Sequence, residues 1–166
     1  MTEIFIILGL IIVNGLFSMA EIALVSARKA RLESQAAKGD TDAKRALEMS
    51  GHPDRFLSTV QIGITVISVL TGIYSGDNFK KPLESWLQQF DFINPYSNTV
   101  ATILIVVIIT YFTLVLGELV PKRIGLSSPE TIAKMMAGPM RLVYWLTFPF
   151  IWLLNKSSLL IIRPVS

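Results

Sequence analysis

Residues 4–27, 56–75 and 100–120 form three long apolar runs, and each is interrupted by polar residues at helical rather than strand spacing. In the first run Asn14, Ser18 and Glu21 fall at i, i+4 and i+7, on one face of a helix. In the second, Ser58, Gln61, Thr65, Ser68 and Gly72 recur every three or four residues. Thr110, Thr113 and Gly117 do the same in the third. That run carries no charge from 100 to 116 and closes in Gly117-Glu118-Leu119-Val120-Pro121-Lys122-Arg123. A helix needs roughly 20 apolar residues to cross a hydrocarbon core. The pattern therefore predicts three membrane-spanning helices, each with one polar face.

The segments between the runs have their own periodicity. Residues 30–49 contain good helix formers broken at Gly39-Asp40, which predicts two short amphipathic helices with Leu32, Leu47 and Met49 turned inward. Residues 75–98 read as a connecting loop, with a short amphipathic piece over 83–92 that Asn94-Pro95 ends. Ser127-Ser128-Pro129-Glu130 has the form of a helix N-terminus with Pro in its first turn. The apolar stretch that follows, 142–154, is short, is interrupted by Pro149, and is separated by Asn155-Lys156 from 159–162. Apolar stretches of 10 to 14 residues are more often interfacial than spanning. Tyr144, Trp145 and Trp152 are interface residues by preference. The expected fold is thus an all-α integral membrane protein: a single transmembrane domain over 1–166, with three spans and a cytoplasmic-side juxtamembrane helical belt at 30–50 and 129–162. A fourth span over 142–162 is the alternative.

Composition supports a membrane chain. Of 166 residues only 16% are charged, and the mean hydropathy is +0.56. Cysteine is absent, which excludes disulfides and thiolate metal sites. The single histidine, His52, precedes Pro53 as a turn residue, so zinc and haem sites lack their usual ligands. Residues 1–27 have too long an apolar part, and too little positive charge, for a cleaved signal peptide, and read as a retained span. The segment 28–55 has seven basic and five acidic residues, with Arg28, Lys29 and Arg31 directly after the first span. The 75–98 loop has two basic and three acidic. The positive-inside rule then places the N-terminus outside and the C-terminus in the cytoplasm. The lipid bilayer is the expected partner, and nucleic acid is not.

The chemistry centres on Glu118, an ionisable group between Gly117 and Pro121 at the end of an apolar run. At membrane depth such a group costs several kcal/mol unless it meets a partner, a cavity or an ion. The competing reading is an interfacial pair with Lys122, its i+4 neighbour. Pro121 would kink the helix and free backbone carbonyls for a cation, as in broken-helix transporters. Carboxylates, hydroxyls, a side-chain amide and such carbonyls are ligands for hard cations such as Mg2+. They suit Na+ or an organic cation equally. No nucleophile is paired with a base, and there is no glycine-rich phosphate loop, so neither an enzyme nor a nucleotide-driven pump is indicated.

Three segments also carry a resemblance. Phe17-Ser18-Met19-Ala20-Glu21-Ile22-Ala23-Leu24, Thr59-Val60-Gln61-Ile62-Gly63 and Gly117-Glu118-Leu119-Val120-Pro121-Lys122 resemble the signatures of the cyclin M/CorC transmembrane domain. The resemblance implies a bacterial inner-membrane homodimer, with cytosolic CBS domains normally following. It implies Mg2+ as the exported substrate, possible coupling to Na+ included. Carried over, the ion site comprises Ser18, Gln61 and Glu118, with Thr65 at a second amide position and Gly125 as a carbonyl ligand. Asn14, Glu21, Ser58, Ser68, Thr113, Gly117 and Pro121 then line the pathway. Where the family's Mg2+-binding members have a Gly-Asn-Asn type run, this chain has Val60-Gln61-Ile62. It is also similar to a branch that includes exporters of cadaverine and putrescine, for which Glu118 and Glu21 would serve as ammonium counter-ions. A non-transporting membrane ion sensor or scaffold is the third reading.

Overall fold

The computed structural model describes residues 1–165, and every regular element among them is helical. The elements are α1 (Thr2–Ser26), α2 (Lys29–Ala37), α3 (Thr41–Ser50), α4 (Pro53–Leu87), a 3-10 turn (Asn94–Tyr96), α5 (Ser97–Leu114), a π-helical turn (Val115–Leu119), α6 (Val120–Ser127) and α7 (Pro129–Ile162). Four stretches are long and apolar enough to cross a membrane: α1, α4, the run Asn94–Ser127 and α7. The chain is an all-α membrane protein. It clusters into two compact units, residues 1–18 with 64–123 and residues 19–63 with 124 onward.

In the first unit, α1 and the α5–α6 rod approach through small residues. A Cβ placed on Gly15 would lie 2.8 Å from Pro121 Cγ and 3.1 Å from the Leu116 carbonyl oxygen. Lipid tails are as apolar as leucine, so helices in a bilayer associate by such close backbone approach rather than by hydrophobic burial. The predicted second span ends at residue 75, whereas α4 continues unbroken to Leu87. Pro82 withholds one N–H from that extension. It does so on an exposed stretch, where solvent can take the freed carbonyl. The connection that remains is only residues 88–96.

In the second unit, the two short belt helices form as the Gly39-Asp40 break predicts. Gly39 takes φ +96°, a left-handed conformation that ends α2 at little steric cost to glycine. Asp40 then caps α3, its carboxylate accepting from the Asp42 and Ala43 N–H groups at 3.0 and 3.1 Å. Leu32 is fully buried as expected, but Leu47 and Met49 are only half-buried. The small residues Ala36, Ala43 and Ala46 fill the inner face instead. This hairpin packs on the first three turns of α7, whose Ile132, Ala133, Met136, Ala137 and Met140 are buried at helical spacing. Two polar ties fix it there. Lys134 Nζ lies 3.0 Å from Asp40 Oδ2. The buried Glu130 accepts the Arg28 N–H at 3.2 Å and faces the Arg31 guanidinium at 4.0 Å.

The expected breaks after residue 141 do not occur. α7 is one helix of 34 residues that carries Pro139 and Pro149 inside it. The polar Asn155-Lys156-Ser157 step is absorbed rather than broken: Ser157 Oγ bonds the Leu153 carbonyl, and Lys156 lies 4.2 Å over the Trp152 ring. Beyond Met140, Ile151 is the only buried residue among those described. α6 is also held tightly in this unit. A Cβ on Gly125 would come within 2.5 Å of Ile22 Cγ2 and 2.9 Å of the Met19 carbonyl oxygen.

Two outcomes test this packing. Gly125→Ala should destabilise the chain by about 1–3 kcal/mol through overpacking. Gly72→Ala, whose Cβ meets nothing within 4 Å, should be neutral or stabilising by up to about 1 kcal/mol. Thermal unfolding in detergent measures both. The second test is acid sensitivity. The Lys134 ammonium and the Ala43 and Asp42 N–H groups hold the Asp40 carboxyl below its ordinary value. A carboxyl depressed in the folded state stabilises at neutral pH, and that contribution is lost as pH falls through the folded value. Lys134→Met should therefore shrink the loss of thermal stability between about pH 6 and pH 3.

Candidate functional site

The local sequence dictates an irregular backbone around Glu118. Pro121 has no N–H to offer the carbonyl of Gly117, four residues earlier, and its ring crowds the preceding turn. The helix responds by widening: Val115–Leu119 forms a π turn, in which the Val120 N–H bonds the Val115 carbonyl five residues back. Single π turns inside α-helices cluster at functional sites. The expected proline effect is thus realised as a π turn.

The carbonyl freed by Pro121 is taken up within the protein. Asn14 Nδ2 donates to the Gly117 oxygen at 3.1 Å, joining α1 to the π turn across 103 residues of sequence. Both residues are buried, and a Cβ on Gly117 would sit 3.0 Å from the Asn14 amide nitrogen. A side chain at this position would force the amide nitrogen back by a few tenths of an ångström. Asn14 acts here as a donor to the backbone, a role the polar-stripe reading did not assign. The signal for it was present in the spacing of Gly117 and Pro121.

Three side-chain oxygens of this unit are left over. Asn14 Oδ1, Ser18 Oγ and Thr113 Oγ1 are buried without a hydrogen-bond partner among the described residues. Asn14 and Ser18 are one turn apart on α1, and Thr113 is one turn before Gly117. The oxygens thus belong to the two helical faces that the Asn14–Gly117 bond joins. A buried oxygen without a partner costs about 1–3 kcal/mol, and such groups in a native structure call for an explanation. Glu118 lies in the same π turn, half-buried. It has no hydrogen bond or ion pair among the described residues, and the pair with Lys122 is not formed.

The remaining sequence-predicted residues are placed differently. The stripe on α4 faces away from the packed side: Gln61, Thr65, Ser68 and Gly72 are exposed and Ser58 is half-buried. The buried face carries Phe56, Thr59, Val60, Ile67, Thr71 and Ser75. Thr59 and Thr71 can be buried because their hydroxyls bond the Arg55 and Ile67 carbonyls, each at 2.8 Å. In the second unit, Ser58 and Gln61 line an open recess of about 340 Å3 with Leu57, Ile62 and Leu154. Glu21 is half-buried on α1. Gly125 is occupied with the close approach to Met19 and Ile22. No cluster of three carboxylate or imidazole groups occurs among the described residues.

Paired substitutions distinguish the structural from the spare oxygens. Asn14→Leu should cost about 1–3 kcal/mol, because it leaves the Gly117 carbonyl buried and unpaired. Thr113→Val removes an oxygen that has no partner to lose, and its melting temperature should stay level or rise. Denaturation of the two variants side by side checks the contrast.

Comparison with known proteins adds a family match. The family described as Cyclin M transmembrane N-terminal domain matches residues 5–166. The chain is 47% identical over 161 residues to UPF0053 protein sll0260 of Synechocystis, covering 97% of this chain and 36% of that protein. It is 32% identical over 163 residues to the polyamine export protein of Escherichia coli K12, covering 98% of this chain and 36% of the relative. The counterpart in Salmonella typhimurium is 35% identical over 158 residues, 95% and 35% of the two chains. The chain therefore spans about a third of the length of these relatives.

Proposed function

Because the chain belongs to the cyclin M transmembrane family, a family of multi-pass membrane proteins and not of enzymes, we propose that it is the membrane part of a homodimeric secondary transporter that exports a cation. The observation that carries this reading is the set of three unpartnered buried oxygens, Asn14 Oδ1, Ser18 Oγ and Thr113 Oγ1, in the unit that holds the unpaired Glu118. Neutral oxygens beside a single carboxylate match a hard cation such as Mg2+. One carboxylate among neutral ligands holds an ion loosely enough for release, as transport demands. Coupling to Na+ and the outside position of the N-terminus belong to the same reading.

The homodimer has its own support. A glutamine, a threonine and a serine exposed along α4 would meet lipid in an isolated chain, at a cost that a facing helix removes. A second copy, presenting the same stripe, supplies that helix. In this arrangement α1, α4 and the α5–α6 rod span the bilayer, and α7 lies along the cytoplasmic interface with the α2–α3 hairpin.

A second reading shares the fold and changes the substrate. Relatives at 32–35% identity are named polyamine export protein. The lone Glu118 would then pair with an ammonium group. Flux into proteoliposomes decides. On the Mg2+ reading, Mg2+ moves and cadaverine does not, and Glu118→Gln lowers flux at least tenfold, about 1.4 kcal/mol. Cadaverine flux without Mg2+ flux establishes the polyamine reading. No flux of either from the full-length protein leaves an ion sensor or scaffold, and the transport reading falls.

A further inference from the structure

Within the second unit a cavity of about 330 Å3 opens between α3, the N-terminal end of α4 and the middle of α7. We propose that it binds the headgroup of an anionic phospholipid. The proposal rests on the chain being a membrane protein, and is independent of which cation, if any, it exports.

Charge is the first argument. Arg45, Arg55 and Arg141 line the cavity against a single carboxylate, that of Glu48. Arg45 is held by Asp42 at 3.4 Å. Arg55 and Arg141 are both exposed and have no ion-pair partner among the described residues. Two uncompensated guanidinium groups brought to one cavity repel each other, and an anion between them turns that repulsion into attraction. The planar guanidinium fork fits phosphate oxygens in pairs. His52 lines the same cavity and adds a ring nitrogen able to donate to a phosphate.

The apolar surroundings then select a lipid over a soluble anion. Met49, Phe56, Ala137, Tyr144 and Trp145 form the rest of the lining, and Tyr and Trp prefer the headgroup depth of a bilayer. Beyond them along α7, Phe148 and Trp152 continue the face of Tyr144 and Trp145 at helical spacing, 49% and 53% exposed. An acyl chain lying there would leave its phosphate at the arginines. Inorganic phosphate would use the guanidinium groups and ignore the apolar track.

The test uses the purified chain in a neutral detergent, with phosphatidylglycerol, phosphatidylcholine and inorganic phosphate as probes, read by native mass spectrometry and thermal unfolding. Phosphatidylglycerol should bind and raise the melting temperature, and the other two should not. The Arg55→Gln/Arg141→Gln double variant should weaken binding roughly 30-fold, the loss expected of two cations at an anionic surface. Arg55→Lys/Arg141→Lys should retain most of it. Equal responses to the two lipids overturn the proposal, as does undiminished phosphatidylglycerol binding by the Gln variant. A full shift with inorganic phosphate alone overturns the lipid assignment in favour of a soluble anion. A readout that needs no variant guards against misfolding: binding to the unaltered chain must weaken as ionic strength rises from about 0.01 to 1 M. Salt-insensitive binding overturns the proposal as well.

Discussion

One hydrogen bond, from the Asn14 amide to the Gly117 carbonyl, sets the geometry around the acidic residue. It exists because Pro121 cannot donate to that carbonyl, and because Gly117 leaves room for the amide nitrogen 3.0 Å from where a Cβ would sit. Gly15 completes the contact by admitting the Pro121 ring. In a bilayer an unpaired backbone carbonyl has no water to turn to, so the broken helix and its partner must arrive together. α1 is therefore not simply an anchor. It is the element that makes a π turn affordable at Glu118, and in doing so it brings Asn14 Oδ1 and Ser18 Oγ along its own face to the same junction.

Local chemistry was legible in the sequence, and orientation was not. Gly39-Asp40 and Ser128-Pro129 specify their turn and helix start through backbone preferences that neighbouring elements do not override, and both are found where expected. Where α4 and α7 stop is a different matter. Pro149 and Asn155-Lys156 read as breaks and 75–98 as a loop, yet Pro82, Pro149 and Asn155-Lys156 each fall on an exposed stretch where a lost hydrogen bond can be made good locally. A proline or polar step ends a helix only when nothing else satisfies the groups it orphans.

The stripe on α4 shows the same limit. Period 3.6 puts Ser58, Gln61, Thr65 and Ser68 on one face, but periodicity is silent on which way that face turns. Thr59 and Thr71 decide it. Hydroxyls that return to their own helix's carbonyls behave as small, nearly apolar groups, so the face carrying them can be packed. The packed face of α4 thus carries polar residues that satisfy themselves, a property that hydropathy values do not carry.

The junction of α1 with the π turn has a different character. A serine or threonine hydroxyl that bonds its own backbone is neutralised as a ligand, and the buried hydroxyls without a partner among the described residues are Ser18 and Thr113, flanking the Asn14–Gly117 bond. Forming the α1 contact leaves three oxygens desolvated, at about 1–3 kcal/mol each. Helix packing here therefore stores unfavourable polar burial beside the one unpaired acid of the π turn. On the proposed reading, a cation arriving there would meet oxygens already buried, which would lower the cost of giving up its own hydration shell. Because those oxygens are mostly neutral, that gain would not be followed by a tight electrostatic trap. The same few residues that tie the helices together would then serve both ready capture and ready release.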